Sequence, residues 1–352
     1  MRNAELRTAS AVLIAAAMFV MICRPAGAAP KIDDEIPPRL DGSIARGLNF
    51  LAKQQNPDGS FDGGGPKVAV TGLSVLAFLA AGDAPDVGKF GLVVHNSIEW
   101  LLSHPAQDGY FGAGEHGMYT HAIATMALTQ AYGVEPDAAR RVRIHAALQK
   151  AVAIIVAAQN APKSNPIFAG GWRYERNSAD SDLSLSGWNV MALRGSAAVG
   201  IDVPADARPR AAAFVLHCFD ANSKGFGYQP GSAAQSGETA IGMLCLYLLD
   251  AADANAPQLD AASKYLESHP IDENSPFPYY ASYYLTQASF QRHGLTWTRA
   301  GRPTLERLIR LQDKDGGWPQ SKSAQEPGRV YAAAMALQAL AVPYRLLPVY
   351  QR

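Results

Sequence analysis

Ionisable side chains bunch where they could do chemistry. Glu115-His116-Gly117-Met118-Tyr119-Thr120-His121 sets Glu115, His116 and His121 within seven residues. That spacing suits a general acid/base pair or, with Asp182 added, a metal site, and it equally suits a solvated loop. Asp180-Ser181-Asp182 stands just before an apolar run, so Asp182 reads either as an acid or as a carboxylate that satisfies free N–H groups at a helix start. Glu115, Asp182 and Glu238 are the carboxylates that glycan chemistry would need, and such chemistry would require two of them about 5–10 Å apart in an open cleft.

Other candidates read as structural. His104, His269 and Cys218 fall where other segments carry Gln55, Gln159 or Gln312, at the end of a helix. Hydrogen bonding or packing fits that place better than metal ligation. Cys245 occupies a position that other segments fill with Ala77, Ala127, Ala192 and Ala336, which suits a small buried group. With Cys218 it permits at most one disulfide. No metal and no cofactor is expected.

The elements that position these residues come from an internal repeat. An amphipathic helix ends in Gln or a substitute, a Gly-rich turn follows, and an aromatic residue closes it. Copies run from Leu51-Ala52-Lys53-Gln54-Gln55 with Asp58-Gly59-Ser60-Phe61 to Leu308 through Gln312 with Asp315-Gly316-Gly317-Trp318. Between them lie Ile155 to Gln159 with Gly170-Gly171-Trp172, Gly109-Tyr110-Phe111, Gly225-Phe226-Gly227-Tyr228, and a fifth copy around Pro276-Phe277-Pro278 that has lost its glycines. After each turn comes a second helix, apolar nearly all round, with small residues at a repeated place, as in Thr71-Gly72, His121-Ala122, Ser186-Gly187 and Thr239-Ala240. A helix of that kind must be buried, and Gly and Ala let neighbouring backbones approach. The first helix of each pair carries charges such as Arg46, Lys53, Glu306 and Arg310 and belongs outside. Six pairs predict an all-α (α/α)6 toroid of six helical hairpins over residues 40–352, two concentric rings; an open solenoid of the same hairpins is the competing architecture.

Residues 1–28 read as a secretory signal: Arg2 and Arg7, an apolar core from Ala11 to Ile22, and Ala26-Gly27-Ala28 before a cleavage point. An export route to the periplasm or the extracellular space is expected, with residues 29–39 as an extended lead-in. The chain holds 31 basic and 31 acidic residues; removal of the signal leaves 28 against 30. Lys and Arg form no block, so nucleic-acid binding is not expected. No stretch beyond the N-terminus reads as long and apolar enough to span a bilayer, so no membrane span is expected after signal removal.

The Gln, Gly-rich turn and aromatic pattern resembles the QW repeat of squalene-hopene and oxidosqualene cyclases and the hairpins of protein prenyltransferase β-subunits, from about Leu40 to Tyr350. Pro278 through Gln287, Asp315-Gly316-Gly317-Trp318 and Gly328-Arg329-Val330-Tyr331 are especially similar to exported prenyltransferase and squalene-oxidase-repeat proteins. The resemblance implies an alkene-protonating acid, the middle Asp of Asp-x-Asp-Asp-Thr. Alignment puts Asp182, Ser184, Leu185 and Ser186 at the four matched positions, so the acid itself is replaced by Ser184. The zinc-binding Asp-x-Cys pair and His of prenyltransferases are not retained either, Arg329-Val330-Tyr331 standing where the His is expected.

In such a ring the N-terminal ends of six inner helices converge, and their dipoles favour an anionic or electron-rich group. The resemblance therefore implies a central pocket for an isoprenoid-like or other apolar ligand, with Asp182 and His121 as candidate catalytic groups. Trp188, Tyr283, Tyr284, Tyr331, Arg329 and Glu238 are expected to bind the ligand. Two alternatives stand beside this: a non-catalytic scaffold that engages a protein partner or a second copy of the chain, and a glycan-active toroid.

Overall fold

The computed structural model describes residues 37, 39–114, 116–322, 326 and 328–350. The expected signal and most of the lead-in, and Glu115, lie outside them. Among the described residues twelve helices of ten residues or more follow in pairs. The outer members are α1 (Leu40–Ala52), α3 (Gly91–Leu102), α5 (Ala138–Asn160), α7 (Ala207–His217), α9 (Ala256–Ser268) and α11 (Arg302–Leu311). The inner members are α2 (Lys67–Ala80), α4 (Gly117–Val134), α6 (Leu183–Ala198), α8 (Ser236–Leu248), α10 (Pro278–Arg292) and α12 (Gly328–Leu340). A π turn over Trp297–Gly301 leads into α11, and a two-stranded ladder pairs Phe219 with Phe226 in the fourth turn.

Burial sorts the two rings. Every residue of α2 from Ala69 to Ala80 is buried, whereas α1 buries only one stripe, Leu40, Ser43, Ile44, Gly47, Leu48, Phe50 and Leu51. Small residues set the spacing of the inner helices. A Cβ on Gly187 of α6 would lie 2.7 Å from Ile241 of α8, and one on Gly72 of α2 would lie 3.1 Å from Ile123 of α4. Each inner helix packs on the next, and α12 packs on both α10 and α2, so the ring is closed.

The Gln-Gly-aromatic turn is the joint between hairpins. Gln159 Nε2 donates to Gly170 O in its own turn and to Ala207 O on the next outer helix, each at 2.9 Å. Gln55 makes the matching bonds to Gly59 O at 3.2 Å and Val93 O at 2.8 Å. Trp172 and Trp318 are buried, each giving its indole N–H to a carbonyl of the preceding outer helix, Ile155 or Leu308, at 2.8 Å. His104 and His269 replace Gln without its reach. Each sets Nδ1 against the carbonyl four residues back, Trp100 at 2.6 Å and Tyr265 at 2.9 Å, and stacks on that aromatic ring. Cys218 and Cys245 are buried free thiols, both pushed up in pKa by burial.

One expectation needs correction. By length and composition alone α5 is apolar enough to cross a membrane. In the fold its buried stripe, Ile144, Leu148, Ala151, Val152 and Ile155, packs on α4 and α6. Its buried Arg140 pairs with Glu135 at 2.7 Å.

The two ends of the ring differ. At the C-terminal ends of the inner helices the chain returns as a turn over Pro348–Tyr350 that packs on α4 and α6. Tyr350 Oη bonds the Tyr283 hydroxyl and lies 3.2 Å from Met191 Sδ, and Gln291 Nε2 donates to Tyr350 O at 3.1 Å. That end is filled.

Candidate functional site

At the opposite end, the inner-helix N-termini surround a cavity of ≈ 680 Å³. Its walls are helix caps and first turns: His116 and Tyr119 of α4, Ser184 of α6, Gln235 and Glu238 of α8, Phe277 and Tyr280 of α10, and Tyr331 of α12, joined by Tyr174 and Tyr228 from the turns before α6 and α8. His116 and Phe277 reach their cap positions in left-handed backbone, at φ 67° and 51°. The His116 ring stands edge-on to Tyr174 at 4.1 Å, and the Tyr174 and Tyr228 hydroxyls share a hydrogen bond of 2.5 Å.

Glu238 is the carboxyl on this wall among the described residues, and burial raises its pKa, with the Asp182 charge adding to the shift. No Lys or Arg lines the cavity among the described residues. Nearby Arg173 is committed to Asp180 at 2.9 Å, its guanidinium 4.9 Å above the Tyr174 ring.

Asp182 lies behind the wall rather than on it. Fully buried, it caps α6: its N–H donates to Trp172 O at 2.9 Å, and Oδ1 accepts from Leu185 N–H and from Ser184 Oγ–H, both at 2.8 Å. Burial nonetheless raises its pKa, the hydrogen bonds from Leu185 and Ser184 opposing the shift. Ser184, the residue aligned with the cyclase acid, connects it to the cavity, since Tyr119 Oη bonds Ser184 Oγ and Tyr280 Oη donates to Ser184 O at 3.1 Å.

His121 is placed away from the cavity because it belongs to its hairpin turn. Nδ1 accepts from Phe111 N–H at 3.2 Å, so Nε2 carries the proton and donates to Ala151 O at 3.0 Å. Thr71, Ser186 and Thr239 do the same for the N–H groups of Phe61, Trp172 and Phe226, each at 3.0 Å. Burial lowers the His121 pKa to about 4, which keeps the ring neutral.

Arg329 likewise serves its turn. It bonds Asp313 and Asp315 at 2.8 Å, donates to Trp318 O and covers the Phe50 ring. Trp188, Tyr283 and Tyr284 are buried away from the cavity wall, one helical turn past Ser184 on α6 and past Tyr280 on α10. Trp188 stacks parallel to Tyr283 at 5.9 Å, Tyr284 meets Tyr280 at 4.9 Å, and Tyr283 joins Tyr350. They fill the ring beneath the cavity. Of the expected ligand-binding residues, Glu238 and Tyr331 line it.

The residues missed by sequence reasoning had a register signal. Tyr174 and Tyr228 each stand two places after a turn aromatic, Trp172 or Phe226, and Tyr119 and Ser184 each stand two places before a turn-capping residue, His121 or Ser186. Among the described residues no cluster of three His, Cys, Asp or Glu side chains is placed to hold a metal ion.

No family model and no curated protein matches the chain. Solved structures do. The type II terpene cyclase MstE from Scytonema superposes with a TM-score of 0.58 at 15% identity, over 88% of this chain and 100% of that one. A complex of the same cyclase with its substrate, geranylgeranyl dihydroxybenzoate, gives 0.57 at 15% identity, over 88% and 98% of the two chains. The GH76 α-mannanase of Bacteroides thetaiotaomicron gives 0.62 at 12% identity, over 90% and 99%. At these identities the likeness is one of fold, and this chain has the (α/α)6 toroid that the squalene-cyclase-like enzymes and the GH76 mannanases share.

Proposed function

We propose that the protein binds an isoprenoid-like apolar ligand at the N-terminal mouth of the toroid, as a binder rather than as an alkene-protonating cyclase. One observation carries this: a cavity walled by five tyrosines and Phe277, with Glu238 as its carboxyl among the described residues and aromatic packing beneath it. Aromatic faces supply apolar area that suits a polyprenyl chain. The toroid of MstE, with its geranylgeranyl substrate, supports the same class of ligand.

The acid chemistry argues against turnover by alkene protonation. That step needs an acid much stronger than an ordinary carboxyl, whereas burial makes Glu238 and Asp182 weaker acids. Both shifts run away from the acid strength that the step requires. Glycan hydrolysis is supported less, because it needs a second carboxylate facing the cleft; among the described residues Asp182 is sealed behind Ser184, and Glu115 lies outside them. The N-terminal sequence pattern supports export, and a mature chain beginning at Ala29 is the expected product.

The test is native extraction followed by mass spectrometry of bound lipid, with a fluorescence titration of geranylgeraniol on the emptied protein. A recovered polyprenyl lipid and saturable binding that Tyr331→Ala weakens are expected. No lipid and no geranylgeraniol binding, or binding of α-1,6-mannotriose instead, would overturn the proposal.

A further inference from the structure

Ser184 has one hydroxyl proton, and it goes to Asp182 Oδ1, 2.8 Å away. That oxygen also takes the Leu185 N–H, so it is the accepting oxygen of the carboxyl. Oδ2 makes no hydrogen bond of normal geometry among the described residues, although the Tyr228 hydroxyl contributes to holding the carboxylate charge. With the Ser184 proton committed inward, the Tyr119–Ser184 bond has one possible direction: Tyr119 donates. Tyr280 spends its own proton on the Ser184 carbonyl, at 3.1 Å.

Both phenols are on the cavity wall and both converge on Ser184. A phenol has one proton to give. Once it is given to the protein, the oxygen offers the cavity lone pairs alone. This corner of the site therefore accepts hydrogen bonds and cannot donate them. A ligand group that only accepts, such as an ether, a ketone or a phosphate, would set lone pairs against lone pairs there, at the cost of an unsatisfied buried pair.

Charge narrows the choice further. Among the described residues no Lys or Arg lines the cavity to neutralise a diphosphate. A cationic amine would face the positive ends of the inner-helix dipoles.

We propose that Tyr119 and Tyr280, held by Ser184 and Asp182, select a ligand whose polar end is a neutral hydrogen-bond donor, an isoprenoid alcohol. This rests on the apolar-ligand reading above. It makes Asp182 a positioning residue, acting through Ser184 to fix which way the Tyr119 proton points.

The experiment compares three probes with one chain: geranylgeraniol, its methyl ether and its diphosphate, titrated by fluorescence below their micelle-forming concentrations. The alcohol is expected to bind about tenfold tighter than the ether, the cost of one mismatched buried polar contact. Ser184→Ala frees the Tyr119 proton for the cavity and should shrink that ratio by improving ether binding. Tyr119→Phe should shrink it by weakening alcohol binding. If none of the three probes binds, the apolar-ligand reading fails and takes this inference with it. If all bind but the alcohol is not preferred, or its preference survives both variants, the selection assigned to this corner is refuted while the ligand class stands.

Discussion

Gln312 Nε2 donates to the carbonyl of Ser43 at 2.8 Å, joining the last outer helix to the first across 269 residues of sequence. It is the bond that Gln159 makes to Ala207 between neighbouring hairpins. The ring thus closes with the same joint that builds it. Gln312 also reaches Gly316 O at 2.9 Å and accepts from Ser43 Oγ at 2.7 Å. Gln312→Ala should cost about 2 kcal/mol, several partly buried bonds lost at once. A urea titration checks it: the midpoint falls, and hydrogen exchange of α1 speeds up first.

Gly170 shows why the joint needs glycine. Its φ is +88°, and an added Cβ would sit 2.2 Å from Arg210 O on the next outer helix. Gly200 has a similar φ of +82° with nothing within 4 Å. Gly200→Ala should therefore cost about 1 kcal/mol, the backbone strain alone. Gly170→Ala adds a clash with backbone that cannot move aside, and thermal melting should place it well below Gly200→Ala.

These joints explain what the sequence could disclose. Gln, Gly and aromatic residues at fixed spacing name a local joint, and six of them in a row predict stacked hairpins, so the toroid was legible down to its closure, which only the packing of α12 on α2 decides against an open solenoid. The location of the cavity followed too, because inner-helix N-termini must gather at one end. Facing was harder to read. His121 was expected to look into the mouth, yet like Thr71, Ser186 and Thr239 at the same repeat position it turns to its own hairpin, because a buried N–H at Phe111, as at Phe61, Trp172 and Phe226, demands an acceptor. Arg329 was drawn away by two aspartates in its own turn. Tyr331 was expected on the wall, whereas Tyr119, Tyr174 and Tyr228 came into register only once the turn-capping residue was fixed.

His121 gives the fold a pH dependence with a definite sign. Its pKa falls from the ordinary 6.5 to about 4 on burial, so the unfolded chain binds the extra proton first. Stability from this residue is complete above about pH 6.5 and is lost as the pH drops toward 4, on the order of 3 kcal/mol in all. His121→Thr supplies the acceptor that Thr71 and Thr239 use and removes the titration. Chemical denaturation at several pH values should show the variant's stability falling less than the parent's between pH 6.5 and 4. Parallel curves would mean that another group sets the slope.

Tyr350 separates packing from hydrogen bonding at the filled end of the ring. Tyr350→Ala should cost about 3 kcal/mol by opening a hollow beneath Tyr283 and Met191. Tyr350→Phe keeps the ring and forfeits only the hydroxyl contacts, so about 1 kcal/mol is expected. Urea midpoints of the two variants decide whether bulk or bonding holds this end shut.

Glu238 ties ligand binding to protonation. Burial raises its pKa, and the charge on Asp182 pushes the same way. A raised carboxyl contributes stability at low pH that is lost as the pH climbs through the folded-state pKa, because the unfolded chain ionises more readily. Glutamine imitates the neutral form. Glu238→Gln should match the parent at pH 4 and exceed it in urea midpoint at pH 8. Binding should follow the same logic: an apolar ligand that covers Glu238 favours the uncharged carboxyl. Geranylgeraniol affinity of the parent should weaken as the pH rises, while that of the Gln variant stays level. Equal pH profiles for the two proteins would place the ligand elsewhere than against this carboxyl.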